Sequence, residues 1–242
     1  NFYALVEPRF PTDLEACSIE TADGLGYSWR DLQRASGRIA NWLVSLRPAP
    51  GARVAVQVEK SPECLMLYLA TLRAGLVYLP LNTAYQRAEI EYFLADAEPT
   101  LLVCTPARRD ELEPLAHKAG CRHVYTLGES RDGSLLEAAA PHADGFATRL
   151  RAADDLAAIL YTSGTTGRSK GAMLTHRNLA SNALTLDEFW GFARERAEGR
   201  GEQEQGASRG ETGERTTHGY ASVRSLRRGH RSNGPPLLRA GH

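Results

Sequence analysis

Residues 156–171 read LAAILYTSGTTGRSKG, and this segment carries the strongest structural signal in the chain. Its opening apolar run, Leu156 to Leu160, is typical of a buried strand, and small hydroxyl residues and glycines follow it. Glycines lack a Cβ atom and let backbone N–H groups approach an anion, hydroxyl groups add donors, and Lys170 supplies a positive charge. The pattern predicts a loop that binds a chain of phosphates. The candidate residues are Thr162, Ser163, Gly164, Thr165, Thr166, Gly167 and Lys170.

The spacing in this segment excludes the commonest phosphate-binding loop. That motif requires Gly-Lys followed by Ser or Thr, whereas here Ser169 precedes Lys170 and Gly171 follows it. The competing interpretation is a flexible surface linker of Gly, Ser and Thr. The apolar strand directly before the segment, and the helix-like run after its Lys-Gly ending, favour the binding loop.

The next predicted element after the loop is a helix with Thr175 as its N-cap. His176 at its start is expected to pack on the loop, and contact with substrate is the alternative. This order would place bound phosphate between the carboxyl end of a strand and the amino end of a helix, where open α/β sheets bind ligands. The helix dipole would contribute only about 0.3–1 kcal/mol per exposed charge. The backbone N–H groups and Lys170 must therefore supply most of the binding energy.

Length and composition narrow the class of protein. The chain has 242 residues, enough for one large or two ordinary domains, and a formal net charge of zero, which gives no general attraction to nucleic acid or anionic membranes. Its four cysteines lie far apart, which favours reduced thiols over a disulfide framework or a metal site. No run approaches the roughly 20 apolar residues of a membrane span. We expect a cytoplasmic protein with no membrane span and no nucleic-acid partner.

The order of predicted elements indicates an α/β fold. Helix-like and strand-like stretches alternate from about residue 27 to residue 186, as in βαβ units around a parallel sheet. Ser28 and Ser61 are expected to cap two of the helices, and Gly75 to end one. Residues 128–153 look like a connector. We predict a first α/β lobe at 1–150, the start of a second lobe with the phosphate-binding loop at 151–192, and a low-complexity tail at 193–242.

Several segments, including the loop, resemble the adenylate-forming superfamily, and in particular its AMP-forming acyl-CoA synthetases. Residues 68–85 resemble the second conserved region of that family, and residues 174–179 resemble the segment that follows its phosphate-binding loop. Ser169 stands where the family usually has proline. The likeness extends over about residues 1–192. Within the superfamily, three segments look most like bacterial malonyl-CoA synthetases: residues 56–61, 81–85 and 181–186.

This resemblance implies a two-step reaction. A carboxylate, here malonate, would attack ATP to give an acyl-adenylate and pyrophosphate, and the thiol of CoA would then take the acyl group. The loop residues from Thr162 to Gly167, together with Lys170, would engage the β- and γ-phosphates with Mg²⁺. None of them is predicted to be a catalytic acid or base, and no residue is assigned as a metal ligand.

The likeness stops abruptly near residue 192. The later family elements for adenine, ribose, metal and acyl binding do not occur in the sequence, and residues 193–242 are rich in Arg, Gly and Glu with little apolar periodicity. We predict a disordered tail, with a shifted reading frame as one hypothesis for its origin. The chain alone is expected to be an inactive fragment of an acyl-CoA synthetase. The alternatives are a non-catalytic nucleotide- or partner-binding module and, less favoured, an unrelated kinase-like phosphate-binding protein.

Overall fold

The computed structural model describes residues 1–162 and 169–190. Those up to Ser181 belong to one compact unit, and those from Asn182 belong to a second. The helices are α1 Phe2–Val6, α2 Trp29–Ser45, α3 Pro62–Arg73, α4 Arg87–Ala97, α5 Arg109–Lys118, α6 Ser134–Ala139 and α7 His176–Trp190. The strands are β1 Cys17–Glu20, β2 Gly26–Ser28, β3 Arg53–Gln57, β4 Val77–Pro80, β5 Leu101–Cys104, β6 His123–Thr126, β7 Leu156–Thr162 and β8 Lys170–Thr175. Short 3₁₀ turns span Glu7–Arg9 and Pro106–Arg108.

A six-stranded sheet with the order β6-β5-β3-β4-β7-β8 forms the centre of the first unit. The neighbouring pairs from β6 to β7 are parallel, and β8 alone runs antiparallel to its neighbour β7. A separate antiparallel hairpin is formed by β1 and β2. The predicted α/β class with a parallel sheet is therefore confirmed. Because β7 pairs with β4, the loop segment begins from the same sheet as the earlier strands.

Helices cover both faces of this sheet, which explains why its inner strands are almost continuously apolar. Successive side chains of a strand point to opposite faces, so Val54 and Val56 join one core while Ala55 joins the other. The first core is filled from α2, α3 and α6, with Ile39, Leu43, Met66, Leu67, Leu135 and Leu136. The second is filled from α4 and α5, with Ile90, Phe93, Leu94, Leu112 and Leu115.

The helix boundaries follow local signals in the sequence. Ser28 caps α2 in a reciprocal capping box with Asp31, and the Ser61 hydroxyl accepts a hydrogen bond from the Cys64 N–H at 3.1 Å. After α3 the chain turns through Gly75, whose φ of +70° lies in the left-handed region that favours glycine. These three predictions are confirmed. Within the described residues, no helix is both long and apolar enough to cross a membrane.

Residues 128–153 are more than the plain connector that their turn-rich sequence suggests. They contain α6, and the chain after α6 lies along α2 and α3. There the backbone carbonyl groups of Ala140 and Ala143 accept hydrogen bonds from Arg38 and Asn41 of α2, at 2.8 Å each. The close approach depends on Gly37 of α2, because a Cβ atom there would lie 2.0 Å from the carbonyl oxygen of Asp144. The lobe boundary at residue 150 stays a prediction.

Candidate functional site

The candidate site lies at one end of a β-hairpin. Strands β7 and β8 pair from Leu156 with Thr175 at one end to Thr162 with Lys170 at the other. Thr162 and Lys170 therefore stand opposite each other, as the last pair before the connecting residues. This pair lies at the carboxyl end of β7, and hence at the edge of the sheet where the parallel strands end.

Two of the seven predicted phosphate-binding residues are thus brought together by strand pairing. Thr162 and Lys170 are both exposed at the end of the hairpin. The other five predicted residues lie outside the described part of the chain: Ser163, Gly164, Thr165, Thr166 and Gly167. Their assignment to phosphate binding stays a prediction.

The predicted placement of the loop before a helix N-terminus is wrong. The residues after the loop form β8, and α7 begins only at the far end of that strand, beside Leu156. A strand rises about 3.4 Å per residue, so roughly 17 Å separates Lys170 from Thr175 along β8. The helix dipole acts only within about a turn of the helix end, and α7 therefore contributes nothing at Lys170.

The N-cap of α7 itself is as predicted. The Asn178 N–H donates to the Thr175 hydroxyl at 3.2 Å, and the Asn178 side chain accepts from the Thr175 N–H at 2.9 Å. The missed signal was the run Lys170 to Thr175, which contains Gly171 and mirrors the apolar run before the loop. Two such runs around a glycine-containing loop are typical of a hairpin.

Lys170 has no carboxylate partner in the part of the chain that the structure describes. Its side chain is exposed, and it forms no ion pair with any carboxylate among residues 1–162 and 169–190. A lysine ammonium is a compact, strongly hydrated point charge on a long stem, suited to neutralising phosphate oxygens. Among the described residues, no salt bridge would have to break before this lysine could meet a polyphosphate.

Aromatic side chains support the end of the hairpin that carries Thr162 and Lys170. Tyr161 is 9% exposed, its ring centroid lies 4.2 Å from that of Phe93 in α4, and its hydroxyl donates to Asp96 Oδ2 at 2.5 Å. Burial, and then the contact with Asp96, raise the pKa of the Tyr161 hydroxyl well above its ordinary value. Opposite Tyr161, a Cβ atom on Gly171 would come within 3.0 Å of Ile159. Gly171 therefore lets β8 lie close over these side chains.

His176, which was expected to pack on the loop, lies at the other end of β8. It is 2% exposed, and its Nδ1 atom accepts a hydrogen bond from the backbone N–H of Phe2 at 3.1 Å. Burial, and then the positive charge of the N-terminal amine, lower its pKa to about 4. His176 is therefore a neutral packing residue at the start of α7, distant from Lys170.

The described residues do not favour a metal site or a reactive cysteine as an alternative site. No group of three or more His, Cys, Asp or Glu side chains that could hold a metal ion occurs among residues 1–162 and 169–190. All four cysteines are free thiols, and burial raises the pKa of Cys104 and of Cys121 to about 11. A buried thiol of this kind is inert at neutral pH. The end of the hairpin at Thr162 and Lys170 is thus the best-supported candidate site.

Comparison with known proteins identifies a family. Residues 8–201 match the family model of the AMP-binding enzymes. Tyrocidine synthase 3 from Brevibacillus parabrevis is 34% identical over 180 residues, which are 74% of this chain and 2% of that protein. Feruloyl-CoA synthase from an Amycolatopsis species is 35% identical over 163 residues, which are 67% of this chain and 31% of that protein.

Solved structures give a consistent result. The ATP-bound structure of MatB from Rhodopseudomonas palustris is 55% identical, with a TM-score of 0.75, and the match covers 79% of this chain and 38% of that chain. The chain thus spans well under half the length of MatB and about a third of the length of the feruloyl-CoA synthase.

Proposed function

Since this chain belongs to the AMP-binding enzyme family, we propose that it forms the phosphate-binding part of an adenylate-forming acyl-CoA synthetase. The observation that carries the proposal is the pairing of Thr162 with Lys170 at the carboxyl end of β7, where the lysine has no ion pair among the described residues. Ligands of parallel α/β sheets bind beyond the carboxyl ends of the strands. An exposed cation at that edge suits the terminal phosphates of ATP.

The proposed chemistry needs charge neutralisation rather than an acid or base from this segment. A substrate carboxylate oxygen forms a bond to the α-phosphorus, and the bond from the α-phosphorus to the bridging oxygen breaks as pyrophosphate leaves. Charge that builds on the leaving group is stabilised by Lys170 and by hydroxyl and backbone donors around Thr162. Mg²⁺ would arrive with ATP and shield the same oxygens. In the second step the thiol sulfur of CoA would bond to the acyl carbon, the bond from that carbon to the phosphate oxygen would break, and AMP would leave.

Malonate is the proposed carboxylate. The support is the likeness of residues 56–61, 81–85 and 181–186 to malonyl-CoA synthetases. A non-catalytic nucleotide- or partner-binding module is the second candidate, because the match to MatB covers only 38% of that protein.

The first test is binding at Lys170. We expect inorganic pyrophosphate and Mg·ATP to bind weakly, and Lys170→Ala to weaken both several-fold, or by about 1 kcal/mol, since one charged hydrogen-bond donor is lost. Calorimetric titration at low salt measures the change. Lys118→Ala is the matched control, because it removes the same charge from an exposed lysine of α5 that pairs with Glu91. Equal affinity in the Lys170→Ala variant and the parent chain would show that Lys170 does not contact the bound phosphates.

The second test separates an active synthetase from a binding module. With malonate, ATP, Mg²⁺ and CoA, we expect this 242-residue chain to release no detectable pyrophosphate, because phosphate binding alone does not orient a carboxylate for attack. A coupled pyrophosphate assay measures the rate. A full-length relative assayed in parallel serves as the positive control. Robust turnover by the chain would contradict the prediction that it is an inactive fragment. It would show that the chain contains all the residues that the reaction needs.

A further inference from the structure

Both strands at the phosphate-binding end of the hairpin are attached to one helix, α4. The hydroxyl group of Tyr92 donates a hydrogen bond to the backbone carbonyl of Ser169 at 3.1 Å. The hydroxyl group of Tyr161 donates to Asp96 Oδ2 at 2.5 Å. One contact thus holds the residue directly before β8, and the other holds a residue near the end of β7.

The two attachment points lie on one face of α4. Tyr92 and Asp96 are four residues apart, so their side chains project from the same side of the helix in successive turns. Phe93 lies between them in sequence and stacks on Tyr161 with a centroid separation of 4.2 Å. Phe93 is 1% exposed and anchors the helix in the core, whereas Tyr92 is half-buried and Asp96 is exposed.

The attached residues are the direct neighbours of the candidate phosphate ligands. Lys170 follows Ser169 in the chain, and Thr162 follows Tyr161. Lys170 has an exposed, long side chain, so among the described contacts the position of its charge depends on its backbone. Fixing that backbone in the unbound protein reduces the ordering cost paid when phosphate binds.

We propose that Tyr92 and Asp96 of α4 are positioning residues for the phosphate-binding end of the hairpin. Tyr92 sets the backbone at Ser169 and Lys170, and Asp96 acts through Tyr161 on Thr162. Neither side chain touches the phosphates. The inference rests on the proposed function, since it names the residues that preorganise the same site.

The test compares two tyrosine-to-phenylalanine variants that each lose one hydroxyl group. Tyr92→Phe is expected to weaken pyrophosphate binding about three- to tenfold, as one backbone anchor is lost. Tyr3→Phe is the matched control, because the Tyr3 hydroxyl donates to Glu7 Oε1 at 3.2 Å in the N-terminal segment. It is expected to leave the affinity unchanged. Thermal unfolding of both variants shows that each is folded at the temperature of the titration.

A double variant distinguishes positioning from a general loss of stability. If Tyr92 acts through Lys170, Tyr92→Phe has no further effect on affinity in the Lys170→Ala background. A purely structural role would instead give the same fold-change in both backgrounds. For the second anchor, Asp96→Asn keeps an oxygen that accepts the Tyr161 hydrogen bond and is expected to retain affinity, whereas Asp96→Ala is expected to lose about three- to tenfold.

The outcomes separate this inference from the proposed function. Non-additive Tyr92→Phe and Lys170→Ala effects, with retained affinity in Asp96→Asn, support positioning by α4. If Tyr92→Phe binds pyrophosphate as tightly as Tyr3→Phe does, while Lys170→Ala still weakens binding, the positioning role is wrong. The proposed phosphate site would then be unaffected. If Lys170→Ala binds pyrophosphate as the parent chain does, the phosphate site is wrong and the inference falls with it.

Discussion

Replacement of Arg73 by methionine is expected to lower the free energy of unfolding by about 3–5 kcal/mol, because buried acceptors lose a charged donor. Arg73 is 3% exposed, and its guanidinium donates to the carbonyl groups of Gln33 and Phe146, at 2.6 and 2.9 Å, and to the Ser36 hydroxyl at 2.7 Å. It also lies 4.6 Å from the ring centroid of Tyr3. Methionine fills part of the volume and leaves these acceptors in the core without this donor.

Urea unfolding of the parent chain and the variant measures this loss. The matched control is Arg34→Met, because the Arg34 side chain is 56% exposed and pairs with Asp144 at 3.0 Å. An exposed pair of this kind contributes about 0–1 kcal/mol. Similar losses in the two variants would show that the buried hydrogen bonds of Arg73 contribute no more than a surface ion pair.

The second large effect expected is a loss of stability in acid, caused by His176. Its pKa is about 4 in the folded protein against 6.5 for the free side chain, so the unfolded chain binds more protons between these values. The stability that depends on neutral His176 is complete above pH 6.5 and is lost as the pH falls towards 4. The loss from this group is at most about 3 kcal/mol. Protonation of Nδ1 also removes the acceptor used by the Phe2 N–H.

Urea unfolding at a series of pH values between 7 and 4 measures this effect. A His176→Gln variant cannot titrate but keeps an oxygen that can accept from Phe2, and its stability should fall less steeply than that of the parent chain. His117→Gln, which changes an exposed histidine of α5, is the control and should follow the parent profile. Parallel profiles for the His176→Gln variant and the parent would exclude His176 as the source of the acid sensitivity.

Much of the fold could be predicted because its signals are local. Ser28 and Ser61 each satisfy the first free N–H groups of a helix within three residues, and Gly75 adopts its left-handed conformation where α3 ends. The apolar runs of β3 and β5 are short and β-branched or aliphatic, as expected for strands covered on both faces. Such features depend on neighbours in the sequence and can be predicted without the tertiary structure.

The features that were missed depend on distant partners. The strand from Lys170 to Thr175 is an exception, because its partner β7 directly precedes the loop and the two runs on either side of the loop were a usable local signal. The chain after α6 is held by Arg38 and Arg73, which lie about 70 to 100 positions away in sequence. The same holds for the site: Lys170 is visible in a motif, but the hydrogen bond from Tyr92 to Ser169 spans 77 positions. Spacing rules cannot identify such contacts.

The position of β7 in the sheet has a consequence for the order of folding. Strand β4 meets β7 at Tyr78 and Ala158, about 80 residues later, whereas β3, β4 and β5 are joined by much shorter connections. Contacts between remote parts of a chain form late, since closing a long loop carries an entropy cost. During synthesis on the ribosome, one side of β4 would stay open until residue 162 has emerged. An unpaired apolar strand invites intermolecular association, and chaperone demand should be greatest in that interval.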